Sequence, residues 1–85
     1  MASYEVMVEI RHLPGINDPE GATVERALPA LGFSTISKVS MGKAIRFSID
    51  ADDVDSATLS VNDVCKRLLA NPVLESFEIK IREIK

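Results

Sequence analysis

Three stretches of apolar alternation constrain this chain more than any other feature. Tyr4, Val6, Val8 and Ile10 alternate with Glu5, Met7, Glu9 and Arg11 near the start. Ile45, Phe47 and Ile49 repeat the pattern in the middle, and Phe77, Ile79 and Ile81 alternate with Glu78, Lys80 and Arg82 near the end. Successive side chains of a strand point to opposite faces, so each stretch predicts a strand with one apolar face. Strands of this kind must share a sheet that is covered on one side and wet on the other. Met7, Ala44 and Lys80 fall on the wet side, whose polar to mixed character does not demand burial.

The segments between these strands carry helix signals. Asp18 is a good N-cap and Pro19 suits the first helical position, where its missing N–H costs nothing. Val24, Ala27, Leu28 and Leu31 form a helical stripe, and Gly32 supplies a left-handed stop. Pro29 would clash with the carbonyl of Glu25, so a kink or a tightened final turn is expected there. A second helix is capped by Asp52 or Asp53 and carries Val54, Ala57, Val61, Val64, Cys65, Leu68 and Leu69 on one side. It must end before Asn71-Pro72, because a residue preceding proline is pushed out of helical geometry.

Thr35 to Met41 reads as a further strand, joined to the middle strand by a hairpin at Gly42-Lys43, with Ile36 out of phase. The resulting order is βαββαβ. The expectation is therefore an α+β fold in a single small domain, residues 1–85, with an antiparallel sheet and two helices on one face, ferredoxin-like in outline.

Composition narrows the function classes. With 46% hydrophobic and 27% charged residues the chain is too apolar for a disordered one. At 85 residues its core is small, and self-association is a common remedy. A net charge of −3 gives no basic field for phosphate backbones or anionic membranes, which argues against nucleic acid and membrane as partners. A single cysteine, Cys65, suits a reducing compartment. No apolar run approaches the ~20 residues of a membrane span and no basic-then-apolar leader opens the chain, so a cytoplasmic location is expected.

The residues offer no catalytic constellation. His12 is the only histidine, which excludes a multi-histidine metal site or a His-based triad as that residue's partner set. Gly42-Lys43 lacks the further glycines and following helix of a phosphate loop, so a turn with a solvated lysine explains it. Asp52, Asp53 and Asp55 complement a helix N-terminus, and Cys65 lies on the apolar stripe. An RNA-recognition domain shares the strand order but needs stacking aromatics and a basic surface. Only Phe47 stands on the middle strand, in phase with the aliphatic residues, and the chain is acidic.

Four short motifs nevertheless occur together: Asp18-Pro19-Glu20-Gly21, Leu31-Gly32-Phe33, Gly42-Lys43 and the segment Leu68-Leu69-Ala70-Asn71-Pro72-Val73-Leu74-Glu75. In this order the chain resembles the PurS family, the small subunits of phosphoribosylformylglycinamidine synthase, from about Tyr4 to Ile81. Two positions depart from the family pattern. Pro29 replaces a more ordinary helix former, and Val39-Ser40-Met41 stands where a Val-Arg-apolar stretch is common, so no role for that arginine is carried over. The resemblance implies a docking piece without catalytic groups, cofactor or metal of its own. Its implied partners are a large synthase subunit (PurL), which uses ATP and magnesium, and a glutaminase subunit (PurQ), with ammonia passed between them. Self-pairing as a homodimer or higher homo-oligomer, through strand edges or the open sheet face, is expected as well. Arg11, His12, Lys43, Arg46 and the Asn71-Pro72 corner are the candidate partner contacts, being polar, rigidly placed or near loop ends. A second class fits the same strand order: an amino-acid-sensing regulatory domain of the ACT type, of which Leu13-Pro14-Gly15 is a faint echo.

Overall fold

A computed structural model describes residues 1–84. Strand β1 (Ala2–His12), helix α1 (Pro19–Ala27), strand β2 (Gly42–Ala51), helix α2 (Val54–Val64) and strand β3 (Glu75–Ile84) follow one another. The strands form one antiparallel sheet in the order β2-β1-β3. Register obeys the alternation read from the sequence. Val8 stands between Ile45 and Ile79, Val6 between Phe47 and Ile81, and Met7 between Arg46 and Lys80 on the opposite face.

The core lies on the inner face under α2. Val6, Val8 and Ile10 of the central strand are buried with Val61, Cys65 and Ala70, while Tyr4 joins Ala51 and Ala57 at the other end. Burial pushes the Cys65 thiol up from its ordinary pKa, which makes it a small apolar side chain rather than a reactive one.

Local signals are met at the helix ends. Asp53 caps α2 by accepting the Ser56 N–H at 2.8 Å, and Asp18 caps α1 by accepting the Gly21 N–H at 3.0 Å. Pro29 ends the α-helix early. A tight 3₁₀ turn over Pro29–Leu31 follows and Gly32, with φ 92°, stops it. The second helical stretch stops before Asn71-Pro72 as expected, but the form of its last turn was not anticipated. Cys65–Leu69 widens into a π turn, which keeps Cys65 buried but turns Leu68 out to 76% exposure.

Two expectations need correction. Thr35 to Met41 runs up to β2 without joining the sheet, so the sheet has three strands where four were read. The backbone N–H groups of this segment go to side chains instead: Val39 donates to Glu25 Oε1 at 2.8 Å and Met41 to Asp18 Oδ2 at 2.8 Å. Nor do both helices cover the sheet within one protomer. Only α2 lies on the inner face; α1 is tied to residues 39–41 and buries nothing but Gly21. Its stripe stays in solvent, with Leu31 70% and Phe33 52% exposed beyond it.

Candidate functional site

The sheet end that carries His12, Gly42 and Glu75 gathers residues from three of the four motifs. On the inner face His12 is the register partner of Glu75, and Lys43 that of Ile10. Across the end of β1 the Lys43 Nζ stands 3.8 Å from Glu75 Oε2, so this pair closes over the last apolar rung. A shallow depression of about 250 Å³ opens beside it, lined by His12, Glu20, Met41, Gly42, Lys43 and Glu75. The Asn71-Pro72 corner borders it through Glu75, whose Oε1 accepts the Asn71 N–H at 2.8 Å.

Each motif has a structural cause here. Asp18 uses both carboxylate oxygens, one on the first turn of α1 and one on Met41, and so clamps the helix start to the approach to β2. Gly21 is required by that clamp. A Cβ there would lie 2.8 Å from the Val39 carbonyl oxygen and closer still to Asp18. Gly42 is not a turn residue; a Cβ would meet the Ile10 carbonyl oxygen at 2.6 Å, so glycine permits close approach of two strands. In the last motif the Asn71 side chain accepts the Val73 N–H at 3.1 Å, and the Asn71 carbonyl accepts from Leu74 and Glu75. Leu13 N–H donates to the Leu74 carbonyl, tying this corner to the end of β1.

Two side chains were not singled out from sequence. Glu75 closes both the Asn71 turn and the Lys43 pair, and Glu25 anchors residue 39. Glu75 closes its own turn locally, but its pairing with Lys43 and the bond from Val39 to Glu25 reach far along the chain, which no local pattern shows. Of the six candidate contacts, His12, Lys43, Asn71 and Pro72 share this sheet end. Arg11 lies at the same end on the outer face, held by Glu9 at 2.6 Å and Glu78 at 3.0 Å. Arg46 stands apart, on the outer face beside Met7.

The side chains gathered here hold turns and strand ends in place. The Lys43 ammonium is engaged by Glu75, and among the described residues no group of three or more His, Cys, Asp and Glu side chains is placed to hold a metal ion. The clamp also acts on the charge of Asp18 itself. Hydrogen bonds from the Met41 and Gly21 N–H groups, assisted by His12, hold its carboxyl below the usual carboxylate range. Its contribution to stability is thus present above the unfolded carboxylate pKa and is lost as pH falls through the lower folded value. Asp18→Asn should therefore lower the Tm near neutrality and flatten the loss of stability below about pH 4. Thermal melts of both proteins from pH 7 to pH 2.5 check this; parallel curves would show that the clamp contributes nothing.

Comparison with known proteins places this geometry. The family model for PurS, phosphoribosylformylglycinamidine (FGAM) synthase, matches residues 5–83. The chain belongs to the PurS family. Subunit PurS of phosphoribosylformylglycinamidine synthase from Methanocaldococcus jannaschii is 37% identical over 82 residues, covering 96% of this chain and 99% of the relative. The corresponding Bacillus subtilis subunit is 31% identical, with 95% of each chain covered. The crystal structure of the Methanocaldococcus jannaschii protein, one of the subunits of formylglycinamide ribonucleotide amidotransferase in the purine biosynthetic pathway, superposes with a TM-score of 0.85 at 38% identity over 96% of this chain and 99% of that one. A chain of the PurLQS structure from Thermotoga maritima gives 0.86 at 30% identity, covering 99% of this chain and 100% of that one.

Proposed function

We propose that this chain is the non-catalytic small subunit of a phosphoribosylformylglycinamidine synthase and acts in the cytoplasm in purine biosynthesis. In this reading it docks a glutaminase subunit (PurQ) onto a large synthase subunit (PurL) and helps carry ammonia from glutamine to formylglycinamide ribonucleotide. ATP and magnesium belong to the synthase subunit. The observation that carries the reading is the end-to-end match with a chain of a PurLQS assembly, 99% of this chain against 100% of that one. A fold whose motif residues are spent on holding loops in place fits a geometric role.

The protomer also carries a sign of self-association. Its radius of gyration is 16.7 Å, against about 12 Å for a compact domain of this length. It measures 52 × 30 × 14 Å, with Val24, Leu31, Phe33 and Ile36 each more than 40% exposed along the α1 layer. A second copy packed on this layer would bury what one protomer cannot. An amino-acid-sensing role has less support: Gly15, at φ 85°, sits in an open turn with nothing close to its Cβ direction.

Reconstitution tests the proposal. With synthase and glutaminase subunits, glutamine, ATP and magnesium, omission of this chain should lower glutamine-dependent product by roughly 10²-fold, the scale at which docking raises effective concentration. Ammonia-driven product should persist. Unchanged glutamine-dependent activity without the chain, or a Tm raised by free amino acids and not by the two subunits, would reject docking.

A further inference from the structure

The outer face of the sheet has a charge arrangement that the motifs do not explain. Four carboxylates and four cations lie on it: Glu5, Glu9, Asp50 and Glu78 against Arg11, Arg46, Lys80 and Arg82. The face as a whole is neutral, but its charges are not evenly satisfied. Glu9 and Glu78 hold Arg11, Glu5 holds Arg82, and Asp50 accepts the Ser3 hydroxyl. Arg46 and Lys80 take part in no ion pair or side-chain hydrogen bond among the described residues. They flank Met7 from the two edge strands, so their backbones stand about 10 Å apart, two strand spacings. Between them runs an open groove of about 260 Å³, with Met7 in the lining and the Glu5–Arg82 pair at its rim. In a chain of net charge −3 this central strip is locally positive by two.

We propose that this strip is a docking surface for an acidic segment of a protein partner. Two carboxylates spaced by about 10 Å would meet Arg46 and Lys80, and an apolar residue between them would rest on Met7. The backbone positions of all three residues are fixed, because they stand on paired strands and not on loops. Two free cations favour a protein over a nucleic acid, whose affinity depends on neutralising many phosphates. The inference rests on the docking role proposed above and specifies the face used for it. It also leaves the apolar α1 layer free for a second copy, since that layer does not belong to the outer face.

Charge reversal tests it in the full assembly. The probe is the affinity of this chain for the synthase and glutaminase subunits, each measured by biolayer interferometry at several salt concentrations. Arg46→Glu with Lys80→Glu should weaken binding to one subunit by ~10-fold or more and reduce its salt dependence. Lys38→Glu with Lys66→Glu makes the same change in net charge at exposed cations elsewhere and should stay within about threefold. Should the first variant fail to fold, Arg46→Gln with Lys80→Gln is expected to lose affinity in the same direction by a smaller factor. Wild-type binding retained by the outer-face variants would overturn this surface while leaving the docking role standing. Equal losses in both charge-reversed proteins would assign the effect to net charge and overturn it too. A changed self-association state of the outer-face variants in sedimentation would make the face a contact between copies instead. If the wild-type chain bound neither subunit, the docking role and this inference would fall together.

Discussion

Val8→Asp is expected to leave no folded protein at pH 7. Val8 is fully buried in the central strand, between Ile45 and Ile79 and beneath Val61 and Cys65 of the α2 layer. Cross-strand neighbours on both sides are aliphatic, so a carboxylate there finds neither a cation nor a donor. Remaining charged costs several kcal/mol of desolvation. Escaping by protonation means raising its pKa by roughly 3–5 units, and holding the group neutral at pH 7 costs about 4 kcal/mol before the buried carboxyl's own missing hydrogen bonds. Loss of the valine side chain adds about 1.5 kcal/mol or more. A domain of 85 residues has only about 4–13 kcal/mol to lose. Because the folded state would bind the proton more tightly, whatever structure survives should be strongest at low pH and fade as pH rises. Far-UV circular dichroism and amide-shift dispersion read the outcome, with Val8→Ala as a milder case costing roughly 2 kcal/mol. Met7→Asp is one residue away but on the outer face, and should change stability by about 0.5 kcal/mol or less. A native melt for Val8→Asp would mean that the assigned face of β1 is wrong.

That one-residue contrast also marks where sequence is most informative. Apolar alternation at Tyr4–Ile10, Ile45–Ile49 and Phe77–Ile81 located all three strands and their faces because period two is a local property. Caps and stops were equally legible at Asp18, Gly32, Asp53 and Asn71-Pro72, where one side chain or one φ angle acts on its own turn. Residues 35–41 were misread because their partners are remote. The carboxylates that take the Val39 and Met41 N–H groups lie 14 and 23 residues upstream, and no window of pattern reaches them. Gly42 was read as a hairpin glycine, and its actual reason, the Ile10 carbonyl pressed against it, exists only once β1 and β2 pair.

Parity could have sorted the candidate contacts. Lys43 and Arg46 are three residues apart on one strand, so they must face opposite sides of the sheet. Lys43 turns inward to Glu75 and Arg46 outward beside Met7. The same rule puts Arg46 and Lys80 on one face, but their shared neighbour Met7 depends on register across two strand pairs. Leu68 fails for another reason. A 3.6-residue stripe places it with Cys65 and Leu69, and the π turn rotates it into solvent. Such a turn has no clear local signature here.

Leu31→Asp with Phe33→Asp is expected to convert a dimer into a folded monomer. These side chains are 70% and 52% exposed in the protomer, so replacing them removes little intramolecular packing. Val24 and Ile36 are likewise 42% and 48% exposed, so residues 24–36 concentrate more exposed apolar side chains than a solitary domain has reason to display. If a second copy covers them, each substitution acts twice in a symmetric pair. Four lost side-chain burials at about 1 kcal/mol each, before any carboxylate repulsion, raise the dissociation constant by roughly 10³-fold. Sedimentation at micromolar concentration should show the wild type as a dimer or larger and the variant at protomer mass, with unchanged circular dichroism. A monomeric wild type, or a variant that still pairs, would reject this layer as the self-contact. The physical stake is α1 itself: clamped to residues 39–41 by Asp18 and Glu25 and standing off its own sheet, it gains a reason to be ordered when a second protomer supplies the surface its stripe faces.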